Sequence, residues 1–276
     1  MGLFDRWRAP EGAAAHTTSS AAATEHSQLS DPEPDAQRFD DMVQTYMARL
    51  DYAAGTDVGD LTPAEFQSAL TTRLVAQDSL PDDPEYHYIT PFAPHIAEVL
   101  TLDLPAAVVT LPHERLLATG RHHSALVSRG RTNLARLLET SEVEVTRLGG
   151  PRYSCLALVG ASPYTASFAR LLTEAMYRWL PEADTGNGVV FALPHRHAIV
   201  LQTCTTPAET RAALDLVPGH ARELFEASSA PVSPHVFHWY HREISCLTTD
   251  VGDGALELTT TPLLEGMLGR SSRQAG

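Results

Sequence analysis

The chain has 276 residues, of which 43% are hydrophobic and 20% charged, so it is long enough to form one large or two small domains with a buried core. Its 20 basic residues are all arginines, which excludes chemistry that needs a lysine, such as a phosphate-binding loop ending in Gly-Lys or a Schiff base. The net charge is −14, and residues 1–103, with 5 arginines and 18 acidic residues, carry −13 of it. Because nucleic-acid binding needs clustered positive charge, no nucleic-acid partner is expected.

Residues 1–35 predict a disordered N-terminal arm. Between residues 10 and 35 Ala, Ser, Thr, Glu and Pro dominate, and such a segment buries too little apolar surface to offset the entropy lost on ordering. Ahead of it, Leu3, Phe4 and Trp7 fall on one side of a short helix. Residues 1–9 are therefore a candidate tether to a membrane surface or a larger assembly.

Residues 36–94 predict an acidic helical lobe that ends in a proline-rich loop. Apolar residues at helical spacing indicate a helix over 36–50. Thr62, Pro63 and Glu65 form a capping-box pattern that opens a second helix, which we expect to reach about Gln77.

Residues 95–262 predict an α+β domain, followed by a C-terminal tail at 263–276. Several expected strands are joined by only two to four residues, which favours a largely antiparallel or mixed sheet with helices packed on it. Helices are expected over 122–138, 163–180 and 207–227, the last interrupted at Pro218. The expected strands span 96–101, 106–110, 142–148, 153–159, 189–193, 198–203, 235–240, 243–248 and 255–260.

The cysteines and the hydropathy predict a cytoplasmic protein. Cys155, Cys204 and Cys246 lie far apart, with no Cys-x-x-Cys spacing, in apolar or β-rich runs, which is typical of buried thiols in a reducing compartment. No run approaches the roughly 18 apolar residues of a membrane span. No apolar stretch of a secretory signal follows the charges near the N-terminus.

Two histidines are the candidate metal ligands. His195 and His197 flank Arg196 in a predicted hairpin turn, where both imidazoles could face one zinc or other divalent ion. No acid or cysteine has a diagnostic spacing as third ligand, and a turn with exposed polar side chains is the alternative interpretation. His235, His238 and His241 do not form a ligand set, because side chains alternate along a strand.

A positive stripe is predicted on the helix over 122–138. His122, Arg129 and Arg136 recur every seven residues and so share one face, which could contact an anion or an acidic surface of a partner. The alternative is a solvated helix face.

Three segments carry a family resemblance: TASFARLLTEAMYRWL, GVVFALPHRHAIVLQ and PVSPHVFHW, within residues 164–239. In this order they resemble an uncharacterised family of actinobacterial proteins of unknown function. The resemblance implies a cytoplasmic α+β protein and supplies no activity, cofactor or catalytic residue.

Three functional hypotheses follow. The first is a non-catalytic cytoplasmic binding or regulatory protein whose acidic N-terminal third faces a basic partner protein, supported by the charge asymmetry and by the absence of a complete catalytic motif. The second is a metal-dependent hydrolase in which an ion at His195 and His197 activates water. The third is an adaptor tethered through Leu3, Phe4 and Trp7.

Overall fold

The computed structural model describes residues 61–80, 88–105, 107–151 and 153–273, all within one compact unit. The predicted arm at 1–35, its tether residues and the helix predicted over 36–50 lie outside this part of the chain. Side-chain statements below extend to residue 269.

The described residues form twelve strands and six α-helices. The strands are β1 (Leu70–Ala76), β2 (Thr90–Ala93), β3 (Ile96–Asp103), β4 (Val108–Thr110), β5 (Val143–Gly150), β6 (Tyr153–Gly160), β7 (Val189–Ala192), β8 (Ala198–Thr203), β9 (Val236–Tyr240), β10 (Glu243–Cys246), β11 (Thr248–Asp250) and β12 (Leu256–Leu258). The helices are α1 (Pro63–Ala69), α2 (His113–Ala118), α3 (His123–Thr140), α4 (Leu172–Trp179), α5 (Pro207–Glu226) and α6 (Pro262–Arg273), with 3₁₀ helices at Gln77–Ser79 and Ala166–Leu171.

The strands build two main sheets, and every strand pair is antiparallel. The larger sheet has the order β10-β9-β7-β8-β6-β5. In the smaller one, β3 pairs with β1 on one side and with β2 and β4 at opposite ends of the other. Strands β11 and β12 form a separate two-stranded ribbon. The α+β class predicted from the short connections is confirmed.

The central strands of the six-stranded sheet are buried on both faces. One face, with Val190, Val200 and Val236, packs against α5 and α6. The opposite face, which includes Phe191 and Leu201, packs against the second 3₁₀ helix, α4, α3 and the smaller sheet. A third apolar cluster lies between α1, α2, α3 and the β1 and β3 strands. Buried strands covered by helices on both sides explain the nearly continuous apolar runs of β7 and β8.

All nine predicted strands are present, most with ends that shift by one or two residues. The run expected over 243–248 is divided at Leu247 into β10 and β11. The glycine and proline residues between the apolar runs therefore located these strands correctly. They did not reveal β1, β2 or the short helix α2.

The helix predicted to reach Gln77 is wrong in its second half. Its start is confirmed, because the Thr62 hydroxyl accepts from the Glu65 N–H at 3.3 Å and Glu65 accepts from the Thr62 N–H at 2.9 Å. The helix ends at Ala69, and residues 70–76 pair along their whole length with β3. Tertiary pairing overrides a weak helical preference here. The predicted boundary at residue 94 runs through this sheet.

Two predictions near the C-terminus also need correction or extension. The interruption expected at Pro218 is wrong, because α5 continues through it. Proline removes one backbone hydrogen bond, and the buried Val217 and Ala221 hold both halves of the helix against the sheet. The stretch predicted as a tail contains α6, whose Leu264 and Met267 pack into the core.

Candidate functional site

The turn between β7 and β8 carries the predicted metal ligands. His195 and His197 are half-buried, with ring centroids 6.3 Å apart and ring planes inclined by 53°. The turn is held by its backbone: His195 bridges to Pro231, and the Arg196 carbonyl accepts from the Ala166 N–H at 3.0 Å.

Both ring nitrogens of His197 are used within the fold. Its Nδ1 lies 3.1 Å from the Ser162 carbonyl oxygen, and its Nε2 accepts from the Arg196 Nε at 2.9 Å. These contacts assign a neutral ring with the proton on Nδ1. In His195, Nδ1 accepts from the His197 backbone N–H at 3.2 Å. A metal ion on Nε2 of His197 would have to displace the Arg196 guanidinium.

The surroundings of the pair keep both rings neutral. Burial lowers the pKa of His195 and His197, and the positive charge of Arg196 lowers both further. In the part of the chain that the structure describes, no three His, Cys, Asp or Glu side chains could hold a metal ion together. Metal binding at His195 and His197 stays a prediction.

The predicted positive stripe lies on α3, where its members have different environments. His122 occupies the N-cap position without a side-chain hydrogen bond to the helix backbone, and it is exposed, with Nδ1 2.8 Å from the Ser124 hydroxyl. Arg136 is also exposed and donates to the Asn133 side chain at 3.3 Å. These two lie about 21 Å apart along the helix axis, so only an extended partner could contact both. Arg129 is half-buried, and its Nε donates to the Gln67 carbonyl oxygen at 3.1 Å.

Asn133 and Arg129 complete the C-terminus of α1. The Asn133 amide donates to the carbonyl oxygens of Gln67 at 2.8 Å and Leu70 at 2.6 Å, with a longer contact to Ser68. The last carbonyls of a helix have no partner within it, and they carry its partial negative charge. The middle of the stripe therefore serves the fold, which the seven-residue spacing did not indicate.

A large cleft opens where the β2–β3 turn faces the segment before β9. Its volume is about 1240 Å³, and its walls include Gln77, His95, Phe225, Asp250 and residues 231–235. The rings of His95 and His235 stack here, with centroids 4.0 Å apart and planes within 7° of parallel. Because one ion cannot lie in both of two parallel ring planes, this pair is not a chelating site.

The three histidines around β9 have separate surroundings, as strand alternation predicted. His235 is buried beside the cleft and its Nδ1 lies 3.0 Å from the Thr248 hydroxyl. His238 is buried on β9 and stacks with Tyr240. A Cβ at Gly188, whose φ is +91°, would lie 2.4 Å from the His238 ring, so glycine is required there. His241 occupies the following turn with φ +50°.

Strand β5 forms an outer edge of the six-stranded sheet. Its eight residues pair with β6 from Val143 to Gly150, and no described strand pairs with its other side. Val145, Tyr153 and Val159 lie on this hairpin and are more than a third exposed. They are half of the exposed large apolar side chains in the described ranges.

The cysteines are thiols. Cys155 and Cys204 are buried, and burial raises the pKa of each thiol to about 11, while Cys246 is half-buried and contacts the Thr248 carbonyl. Buried thiols with raised pKa values are poor nucleophiles.

Comparison with known proteins finds no match among family models, curated proteins or solved structures. None of the described helices combines the length and the apolar character that crossing a membrane requires. The family resemblance of residues 164–239 stays an expectation.

Sequence reasoning missed the His95–His235 stack and the exposed edge of β5. Pro94-His95 between two apolar runs is a turn signal that could have located the first ring. Its stacking partner belongs to the other sheet, and no local pattern brings the two rings together.

Proposed function

We propose that the chain is a non-catalytic binding protein that takes an extended, basic segment of another protein along the outer edge of β5. The observation that carries the proposal is this free edge, eight residues long and paired on one side only among the described strands. Unpaired N–H and C=O groups on such an edge are a template for an added strand.

The two outer strands of the sheet differ in a way that favours β5. Strand β10 has only four residues and lies in contact with β2, and its Ile244 packs against the same core cluster as Phe92 of β2. It therefore offers a shorter and less accessible edge than β5. Strand β5 is twice as long and has exposed apolar side chains beside it, which could bury surface against a partner.

The acidic residues at the start of β5 favour a basic partner segment. Glu142 and Glu144 stand at the start of β5, whereas its Arg147 donates to the Ser154 hydroxyl; the chain's net charge of −14 lies almost entirely in residues 1–103. Exposed charge pairs steer association and are screened over about 8 Å at physiological ionic strength. A basic segment should therefore bind faster and more tightly at low salt.

A synthetic ten-residue peptide that alternates valine and arginine tests the proposal. We expect it to shift and protect backbone amides of residues 143–150 in NMR spectra, and to bind more weakly as salt rises from 0.05 to 0.5 M, because its charge contacts are screened. A peptide with glutamate in place of arginine should bind at least about tenfold more weakly.

Two variants provide the matched comparison. Val145→Arg places a positive charge and a longer side chain beside the edge and should weaken peptide binding. Tyr177→Arg adds the same charge at an 80% exposed position on α4 and should leave it unchanged. Equal binding of the arginine and the glutamate peptide would contradict the proposal. So would amide shifts that occur only in residues outside β5.

The hydrolase and the tethered adaptor stay predictions. The first rests on His195 and His197, whose contacts are given above, and the second rests on Leu3, Phe4 and Trp7, which lie outside the described residues.

A further inference from the structure

Three elements converge on Arg73, Tyr164 and Arg196 at the junction of the two sheets. The Leu74 N–H on the outer side of β1 donates to the Ser167 hydroxyl at 3.0 Å. The Ala166 N–H donates to the carbonyl oxygen of Arg196 at 3.0 Å. The segment that begins at Tyr164 therefore lies between β1, which carries Arg73, and the β7–β8 turn, which carries Arg196.

Neither guanidinium has an ion-pair partner in the described ranges. The Nε of Arg73 is buried without an acceptor, and the Nε of Arg196 donates a hydrogen bond to the neutral His197 ring. The phenol of Tyr164 is only 1% exposed, and its hydroxyl makes no hydrogen bond of good geometry in the described ranges, although the side chains of Thr101 and Asp103 lie beside it. The three side chains therefore lie close together, and the Arg73 Nε is a buried donor without an acceptor.

Arg73 is a partly buried cation beside a second cation, Arg196. Burial lowers the pKa of Arg73, and repulsion by Arg196 lowers it further, while Tyr164 acts in the opposite direction. Asp103, an exposed carboxylate at the end of β3, faces the Tyr164 hydroxyl, and partial burial raises the pKa of Asp103.

The other partly buried arginine pair in the fold shows the usual arrangement. Glu98 is buried and accepts from the Nε of Arg131 at 2.9 Å, and Arg170 approaches the same carboxylate at 3.3 Å. Buried charges are normally paired in this way, because an unpaired ion loses its hydration without compensation. In the described ranges neither Arg73 nor Arg196 forms such an ion pair, and the Asp103 carboxylate faces the Tyr164 hydroxyl rather than pairing with either guanidinium.

We propose that Arg73, Arg196 and Tyr164 form a binding site for a small oxyanion of the phosphate class. Two planar guanidiniums and one hydroxyl supply several N–H and O–H donors, and a phosphate dianion offers a matching number of acceptor oxygens and negative charge. Bound there, the anion accepts from the Arg73 Nε and the Tyr164 hydroxyl and neutralises both arginines.

Calorimetric titration of the full chain with inorganic phosphate tests the site, with chloride at the same ionic strength as the reference. We expect one site in the wild type and at least about tenfold weaker binding in Arg73→Gln and in Arg196→Gln, because each loses a charge-assisted contact. O-phosphoserine, titrated in parallel, shows whether the site prefers free phosphate or a phosphate monoester.

Arg211→Gln is the matched control. Arg211 is exposed on α5, across the six-stranded sheet from Tyr164, so its loss removes the same charge without touching the group. This variant should bind phosphate like the wild type. Equal weakening in Arg211→Gln would show a general charge effect and overturn the proposal.

Thermal unfolding gives an independent readout. Without phosphate, Arg73→Gln should melt at the wild-type temperature or above it, because the change removes a repelling charge. With saturating phosphate, the wild type should melt at a higher temperature than it does without phosphate. Should Arg73→Gln not fold, Arg196→Gln and Tyr164→Phe make the same comparison. A wild type that shows neither heat nor a higher melting temperature with phosphate than with chloride overturns the proposal without any variant.

Discussion

At the scale of single residues, His95 stands where the backbone would favour another amino acid. It follows Pro94 in the two-residue turn between β2 and β3 and has φ +67°. In a turn with proline at the first central position, a positive φ at the second is typical of glycine or asparagine. A bulkier residue there costs on the order of 1 kcal/mol. The His95 imidazole stacks on His235 with ring centroids 4.0 Å apart, a contact that the asparagine or glycine typical of this turn position would not make.

The stack predicts that replacing His95 changes the pKa of His235. Burial lowers the pKa of His235, and the neighbouring His95 lowers it further. In the variant His95→Asn the new side chain suits the turn and carries no charge, so the pKa of His235 should rise while burial still keeps it below its usual range. Proton NMR titration of the imidazole resonances measures this directly. A His235 pKa that stays constant or falls would show that the rings do not interact.

At the scale of elements, the end of α1 depends on a side chain from α3. The Asn133 amide holds carbonyl oxygens of Gln67 and Leu70, and Asn133 itself is buried. Asn133→Ala removes the amide donor from both carbonyls, of which Gln67 keeps only the Arg129 Nε, and we expect a loss of about 1–3 kcal/mol in the free energy of unfolding. Urea denaturation measures it.

Thr132→Ala is the neighbouring control for this prediction. Thr132 is exposed, and its hydroxyl donates to the Ser128 carbonyl within the same helix. Its removal should change the unfolding free energy by no more than about 0.5 kcal/mol. Similar losses in both variants would mean that α3 is sensitive to any substitution, and that Asn133 has no special role in holding α1.

Elements with local signals were predictable, and elements defined by distant partners were not. The Thr62 capping box and the glycine or proline between strands are local, and the corresponding ends agree with the structure. Strand β1 has no such signal, because its pairing with β3 decides its conformation. The candidate sites follow the same rule: His195 and His197 are neighbours in the chain, whereas Arg73 and Arg196 meet only in the folded sheets.

At the scale of the whole molecule, buried histidines make stability depend on pH. Burial is the first cause of a lowered pKa in each of the rings concerned, namely His123, His195, His197, His235 and His238. The unfolded chain, with histidine pKa values near about 6.5, then binds more protons than the folded chain as the pH falls. Their contribution to stability is complete above that pH and is lost below it.

We therefore expect the unfolding free energy to fall by at least about 1 kcal/mol between pH 6.5 and 5.5. His238, which is 3% exposed, should account for part of the slope, so that His238→Gln unfolds with a shallower pH dependence, whatever its stability at pH 7.5. Leu117, which is 63% exposed, provides the control, since Leu117→Gln removes no titratable group and should keep the wild-type slope. Urea unfolding at a series of pH values gives the three slopes, and a wild type equally stable at pH 5.5 and 7.5 would mean that folding does not lower the pKa values of these rings.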